Sequence, residues 1–131
     1  MKRILVPTIN CLASSEAAYR VTEIADAIRA NIFVLSIAQE SEKGSYRRGV
    51  LSIEIFEEAA QNYDLNVDGL VVTGEPEDQI RRMARELKAD LILLGASEEC
   101  DWNHWYSKLK EPSNFRVQVL EYYMPNLSHK S

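Results

Sequence analysis

The sequence is poor in the residues that build most covalent and metal-dependent sites. It holds two cysteines, Cys11 and Cys100, and two histidines, His104 and His129, in 131 residues. Two cysteines make no disulfide framework, so a reduced, cytoplasmic setting is expected. Cys100, Asp101 and His104 offer metal-ligand chemistry at close spacing. A zinc site wants about four ligands, and no second cysteine–histidine pair completes this one, so no metal is expected. Two histidines leave little general-base capacity of the usual kind. There is no Walker phosphate loop, no dinucleotide glycine fingerprint and no nucleophile elbow. No catalytic residue is assigned, and the chain is read as a non-enzyme.

An excess of positive charge is also missing. The net charge of -5 argues against a nucleic-acid binder, which shows a basic face, and against an anionic membrane surface. No apolar run approaches the roughly 20 residues that span a bilayer. Residues 1–7 begin with basic side chains, but their apolar part is too short for a signal peptide and reads as a strand.

What is present suits one α/β domain over residues 1–131. Apolar residues make up 46%, enough for a core, and charged residues 27%, enough for a soluble surface. Residues 3–8 read as a first strand. A polar turn follows, in which Ser14 or Ser15 can cap a helix. That helix runs to about residue 30, with Ala17, Val21, Ile24, Ala25 and Ile28 on one face and Asn31 as its stop. Residues 32–38 are a second strand, nearly all apolar. Residues 39–49 are polar and read as a flexible loop. A second helix over 51–63 has Ile53, Phe56, Ala60 and Tyr63 inward. Residues 66–73 make a third strand. Pro76, with acidic Glu77 and Asp78, opens a third helix, because proline fits the first turn and acids face the positive end of the helix dipole. Leu91 to Leu94 are an unbroken apolar run that stops on Gly95. Such a run suits a strand buried on both faces of a parallel sheet. Strand and helix alternate without a hairpin signal, which implies right-handed crossovers and a doubly wound open parallel sheet. Residues 98–112 read as a long loop, or a loop with a short helix. A helix is expected over 114–123 with Phe115, Val119 and Tyr122 or Tyr123 inward, and residues 124–131 as a flexible tail.

In open α/β sheets ligands bind beyond the carboxyl ends of strands where strand order reverses. Gly95 to Glu98 is therefore the first place to look. The backbone of Gly95 to Ser97 could cradle a small anion, or the small residues could simply make a tight strand exit. Trp102, His104, Trp105 and Tyr106 could form a partner-binding patch, since amphipathic aromatics are enriched at interface cores. Equally, the indoles could fold back over the sheet. Cys11 reads as a reactive thiol or a packed turn residue. Lys43, Arg47 and Arg48 read as contacts for an anionic partner or as a solvated loop face.

Several pieces in order resemble the universal stress protein domain: Lys2-Arg3-Ile4-Leu5-Val6-Pro7-Thr8, an alanine-containing first helix, and Ile32-Phe33-Val34-Leu35-Ser36-Ile37. Gly74-Glu75-Pro76 opening a helix and Ala89-Asp90-Leu91-Ile92-Leu93-Leu94-Gly95 complete them. The resemblance runs from residue 2 to 97. It implies a five-stranded parallel sheet of order 3-2-1-4-5, a cytoplasmic homodimer, and a role in stress response. Many members bind ATP or AMP. Those members use a proline-x-aspartate after the first strand; here Pro7 and Thr8 match, but Ile9 stands where the aspartate would be and cannot accept a hydrogen bond. They also carry a glycine, two residues, a second glycine, about nine residues, then a glycine and a serine or threonine. Gly95 matches the first glycine. Glu98 stands at the second, where its side chain crowds the backbone and repels a triphosphate. Pro112-Ser113 is nearest to the closing pair. The family's last strand is not evident in residues 124–131.

The leading expectation is a non-catalytic regulatory domain that acts through protein–protein interaction, as a homodimer, without cofactor, nucleic acid or membrane insertion. The alternative is an adenine nucleotide site, for AMP rather than ATP. Thr8, Ile37, Leu94 and Gly95 would then lie against base and ribose, with Pro7 and Ile9 in the same nucleotide site and Ser97 or Ser113 meeting a phosphate.

Overall fold

A computed structural model describes residues 2–97, 101–110 and 115–120. The order is β1 (Lys2–Ile9), α1 (Ser15–Ile28), β2 (Ala30–Ala38), α2 (Ser45–Ala59), β3 (Val67–Thr73), α3 (Pro76–Leu87), β4 (Leu91–Leu94), α4 (Trp102–Lys110) and β5 (Val117–Val119). The strands form one sheet of order β3-β2-β1-β4-β5, with every pairing parallel. The doubly wound architecture is the one read from the alternation of apolar runs and amphipathic segments. No helix among the described residues is long and apolar enough to cross a membrane.

Two apolar layers hold the sheet. On one side Ile4, Val6, Ile32, Val34, Leu91 and Leu93 pack against Ala17, Ala18, Val21 and Ala25 of α1 and Phe56 of α2. Small alanines let α1 lie close to the strands. On the other, Leu5, Leu35, Ile37, Ile92 and Leu94 meet Ile80 and Met83 of α3 and Trp102 and Leu109 of α4. Alternate residues of β1 and β2 thus feed opposite layers, which is why these strands are apolar without alternation.

Several expected boundaries move, each for a local reason. Ser14 caps α1, its hydroxyl accepting from Ala17 N at 3.1 Å. The helix stops at Ile28 rather than near residue 30, because Arg29 turns left-handed (φ 59°) and its N–H closes on the carbonyls of Ala25 and Asp26. Ala30 and Asn31 already belong to β2, and Ile28 is exposed instead of inward. Helix α2 starts at Ser45, inside the stretch read as a loop, and includes Gly49. A Cβ on Gly49 would lie 3.1 Å from Ser36 Cβ and from Val71, so the glycine there lets the helix rest on the sheet. Helix α3 follows its sequence signals: the Glu75 side chain accepts from Asp78 N at 2.9 Å, and Pro76 opens the first turn.

The largest correction is at the C-terminal side. The helix expected from residue 114 is instead β5, in which Val117 and Val119 pack on the α4 side of the sheet while Gln118 is exposed. It pairs Ile92 with Val117, Leu93 with Gln118 and Leu94 with Val119. A three-residue strand carries too little periodicity to oppose a helical reading; its identity comes from the β4 edge it completes. Residues 98–112 hold a nine-residue helix, α4, over Trp102–Lys110. The expected tail at 124–131 lies outside the described residues, as do the remaining positions of the expected helix at 114 and 121–123.

Pro7 shapes the site region. Strand β1 pairs with β2 along its whole length, but with β4 only at Ile4–Leu91 and Leu5–Ile92. Pairing stops just short of Pro7, which has no N–H to give a ladder. Beyond it β1 and β4 part, at the point where the strand order reverses.

Candidate functional site

The exit from β4 is a tightly held turn. Gly95 has φ 107°, a backbone region that side chains rarely tolerate. A Cβ there would sit 3.2 Å from the Leu120 carbonyl oxygen and 3.3 Å from its nitrogen. Leu120 N donates to the Leu94 carbonyl at 2.6 Å, and Ser14 N, at the cap of α1, donates to the Ala96 carbonyl at 2.9 Å. The Trp102 indole N–H donates to the Ser97 carbonyl at 2.6 Å. Three of the four carbonyls from Leu94 to Ser97 are therefore engaged by the protein itself. Ser97 is 1% exposed, and its hydroxyl has no hydrogen-bond partner among the described residues. Buried polar groups are normally paired, so an orphan of this kind asks for an explanation. The preceding residue, Ala96, accepts from Ser14 N at the start of a 14-residue helix, an end where the helix dipole favours an anion.

At the exit of β1, the β1–α1 turn is bolted to α2. Asn10 adopts φ 55°, a left-handed conformation that asparagine tolerates better than most residues. Its N–H donates to the Ile37 carbonyl at 2.8 Å. Its side-chain oxygen accepts from the Ser45 hydroxyl and from Arg48 Nη2, the latter at 2.9 Å. The Ser52 hydroxyl accepts from Ala13 N at 2.9 Å and donates to the Cys11 carbonyl at 3.4 Å. Arg48 is therefore part of the scaffold and not of a solvated basic face with Lys43 and Arg47. Sequence reasoning missed Asn10, Ser45 and Ser52. The one available signal was an asparagine just past a strand, which marks a turn but not its anchor.

The residues predicted to meet base and ribose lie mostly in the core. Ile9, Ile37 and Leu94 belong to the buried cluster under α3 and α4, at 9%, 1% and 0% exposure. Thr8 is buried too, its hydroxyl donating to Ser36 Oγ at 2.8 Å. Ile9 thus completes the core where the family motif has a carboxylate. Gly95 and Ser97 stand at the strand exit as expected; Glu98 and Ser113 lie outside the described residues.

The aromatic group splits. Trp102 is buried, Trp105 and Tyr106 are half-buried, and His104 is exposed. His104 meets the Trp105 ring edge-on at 5.8 Å. The ammonium groups of Lys108 and Lys110 lie 5.1 and 5.2 Å from the Trp105 and Tyr106 ring centres. Both indoles turn toward the sheet. Asp101 accepts from His104 N at 3.2 Å, at the start of α4. No group of three or more His, Cys, Asp or Glu is gathered to hold a metal among the described residues; Cys100 lies outside them.

Helix α4 also settles where the closing pair of the phosphate motif would fall. Counting on from Gly95 with the family spacing reaches Lys108 and Leu109, in the last turn of α4, where Leu109 is fully buried. A glycine-rich loop of that length has no room between β4 and this helix.

The comparisons with known proteins agree on one family. The sequence profile of the universal stress protein family matches residues 1–105. Among solved structures, the chain is similar to a universal stress protein in complex with cAMP (18% identity, 92% of this chain and 97% of that one, TM-score 0.67). It is also similar to the universal stress protein from Archaeoglobus fulgidus in complex with dAMP (13%, 92% and 98%, TM-score 0.70). A third is a universal stress protein family protein from Arabidopsis thaliana with AMP bound (14%, 92% and 91%, TM-score 0.64). Identities this low speak for the fold alone. A comparison with curated proteins finds no match.

Proposed function

Since this chain belongs to the universal stress protein family, we propose that it is a non-catalytic regulatory domain that binds an adenosine monophosphate at the crevice between β1 and β4. The observation that carries this reading is the buried hydroxyl of Ser97, unpartnered among the described residues and one residue past the Ala96 carbonyl that accepts from Ser14 N at the start of α1. A phosphate oxygen supplies the acceptor that the hydroxyl lacks, and the helix dipole favours its charge. The three similar structures with cAMP, dAMP and AMP support a nucleotide with a single phosphate. A triphosphate fits less well. The long glycine loop is replaced by α4, no carboxylate stands at Ile9 to help hold a metal, and Glu98 adds like charge in sequence next to Ser97.

A second reading is favoured by Ile9 and by the burial of Leu109 where the motif would close: the nucleotide site has lapsed, and the domain acts through protein contacts. Calorimetric titration of the full chain decides between them. It should follow denaturation and chromatography to detect nucleotide carried through purification. The expected result is micromolar binding of AMP, with ATP and Mg²⁺ distinctly weaker. No heat with either ligand at millimolar concentration, and no co-purified nucleotide, would leave the second reading standing.

A further inference from the structure

We infer that Trp102 is the positioning residue of this site: it aims the Ser97 hydroxyl at the phosphate. The inference rests on the nucleotide reading above and goes beyond the family's motif, which ends in glycine and hydroxyl residues that this chain lacks. The Trp102 N–H is bonded to the Ser97 carbonyl at 2.6 Å, so the indole holds the same residue whose hydroxyl is left unpaired. The indole itself is 8% exposed and lies in the cluster with Ile9, Leu94 and Leu109. It is thus a donor mounted on a packed post, the kind of support that holds a binding group to within a fraction of an ångström. Ser14 N fixes the preceding carbonyl, of Ala96, and Leu120 N that of Leu94. Ser97 is thus held through its own carbonyl by Trp102 and through the preceding carbonyl by Ser14. Of the three donors, only the Trp102 N–H comes from a side chain, so substitution can remove it while the backbone is kept.

The group that would meet the hydroxyl is a phosphomonoester oxygen. The hydroxyl donates its hydrogen to a charged acceptor, and such bonds are roughly twice as strong as neutral ones. Adenosine, with no phosphate, does not reach this bond. The ratio of AMP to adenosine affinity therefore isolates it, because general loosening of the fold weakens both ligands together.

The test is titration of the full chain with AMP and with adenosine, for the wild type, Ser97→Ala, Trp102→Phe and the double variant. The wild type is expected to favour AMP about tenfold or more, in line with a hydrogen bond to a charged group. Ser97→Ala and Trp102→Phe should each remove most of that preference and leave adenosine binding nearly unchanged. The double variant should lose no more than either alone. Trp105→Phe, on the same helix and facing His104 and Lys108, should keep the wild-type ratio. If Trp102→Phe unfolds at the assay temperature, Trp102→Tyr keeps a large ring without the indole N–H and serves instead. A Trp102 variant that retains the AMP preference while Ser97→Ala loses it overturns the inference and spares the nucleotide reading. Equal loss of AMP and adenosine binding in that variant overturns it too. Wild type that binds neither ligand overturns the nucleotide reading itself.

Discussion

Gly95 and Asn10 stand at the exits of β4 and β1, and both carry backbone that most residues avoid. The causes differ. Asn10 is held left-handed by what its side chain and carbonyl accept from Ser45 and Arg48. Gly95 is held by what lies against it, the backbone of Leu120, which cannot move aside as a flexible side chain can. Gly95→Ala is therefore expected to cost about 1–3 kcal/mol from φ strain and the close approach to Leu120. Thermal or denaturant unfolding checks this; a variant as stable as wild type would mean that β5 is not seated as described. Gly95 was legible as the end of β4, and so as a candidate, because an apolar run ended on it. The role of Asn10 was not, since its partners Ser45 and Arg48 are more than 30 residues away in sequence.

Among the elements, α4 and β5 were the least legible. Neither has the long, regular apolar pattern that marks β1, β2 or α3. Their identity depends on the edge of β4 and on the surface of α3 against which they form. Glu77 makes the second of these contacts visible. On α3, it pairs with Arg81 one turn on, at 2.9 Å, and with Lys108 of α4 at 3.4 Å. The Arg81 hydrogen bond, helped by Lys108, holds the Glu77 carboxyl below its ordinary value, against a smaller opposing effect of burial. A carboxyl lowered in the folded state stabilises it above the ordinary carboxylate pKa, near 4.3. That contribution fades as pH falls through the lowered value. Glu77→Gln is expected to cost about 0.5 kcal/mol at neutral pH, the scale of a partly exposed pair. The difference from wild type should shrink toward zero in strong acid. A difference that persists unchanged at low pH would place the effect in packing rather than charge.

The assembled sheet predicts an order of protection. Strands β1 and β2 pair along eight residues and are buried on both faces, whereas β5 contributes three residues at an edge. Amide exchange in the native state is expected to be slowest in β1 and β2 and faster in β5, because opening free energy follows buried contact and ladder length. Slow exchange throughout β5 would indicate that its outer edge is covered in solution. The parallel, doubly wound sheet was legible early, and its strand order came with the resemblance to the universal stress protein domain. Apolar runs without alternation demand burial on both faces, and parallel pairing with right-handed crossovers leaves few ways to arrange them. Local sequence thus decided strands β1 to β4, the amphipathic helices α1 to α3, the cap at Ser14 and the proline-led start of α3, since each depends on neighbours within a turn or two. Three-dimensional packing alone decided the rest. Ile9 became core, β1 and β4 parted before Pro7, and the Ser97 hydroxyl was left without a partner among the described residues while Trp102 took the Ser97 carbonyl. Those outcomes rest on contacts between elements that meet only after folding, which no period within a single segment encodes.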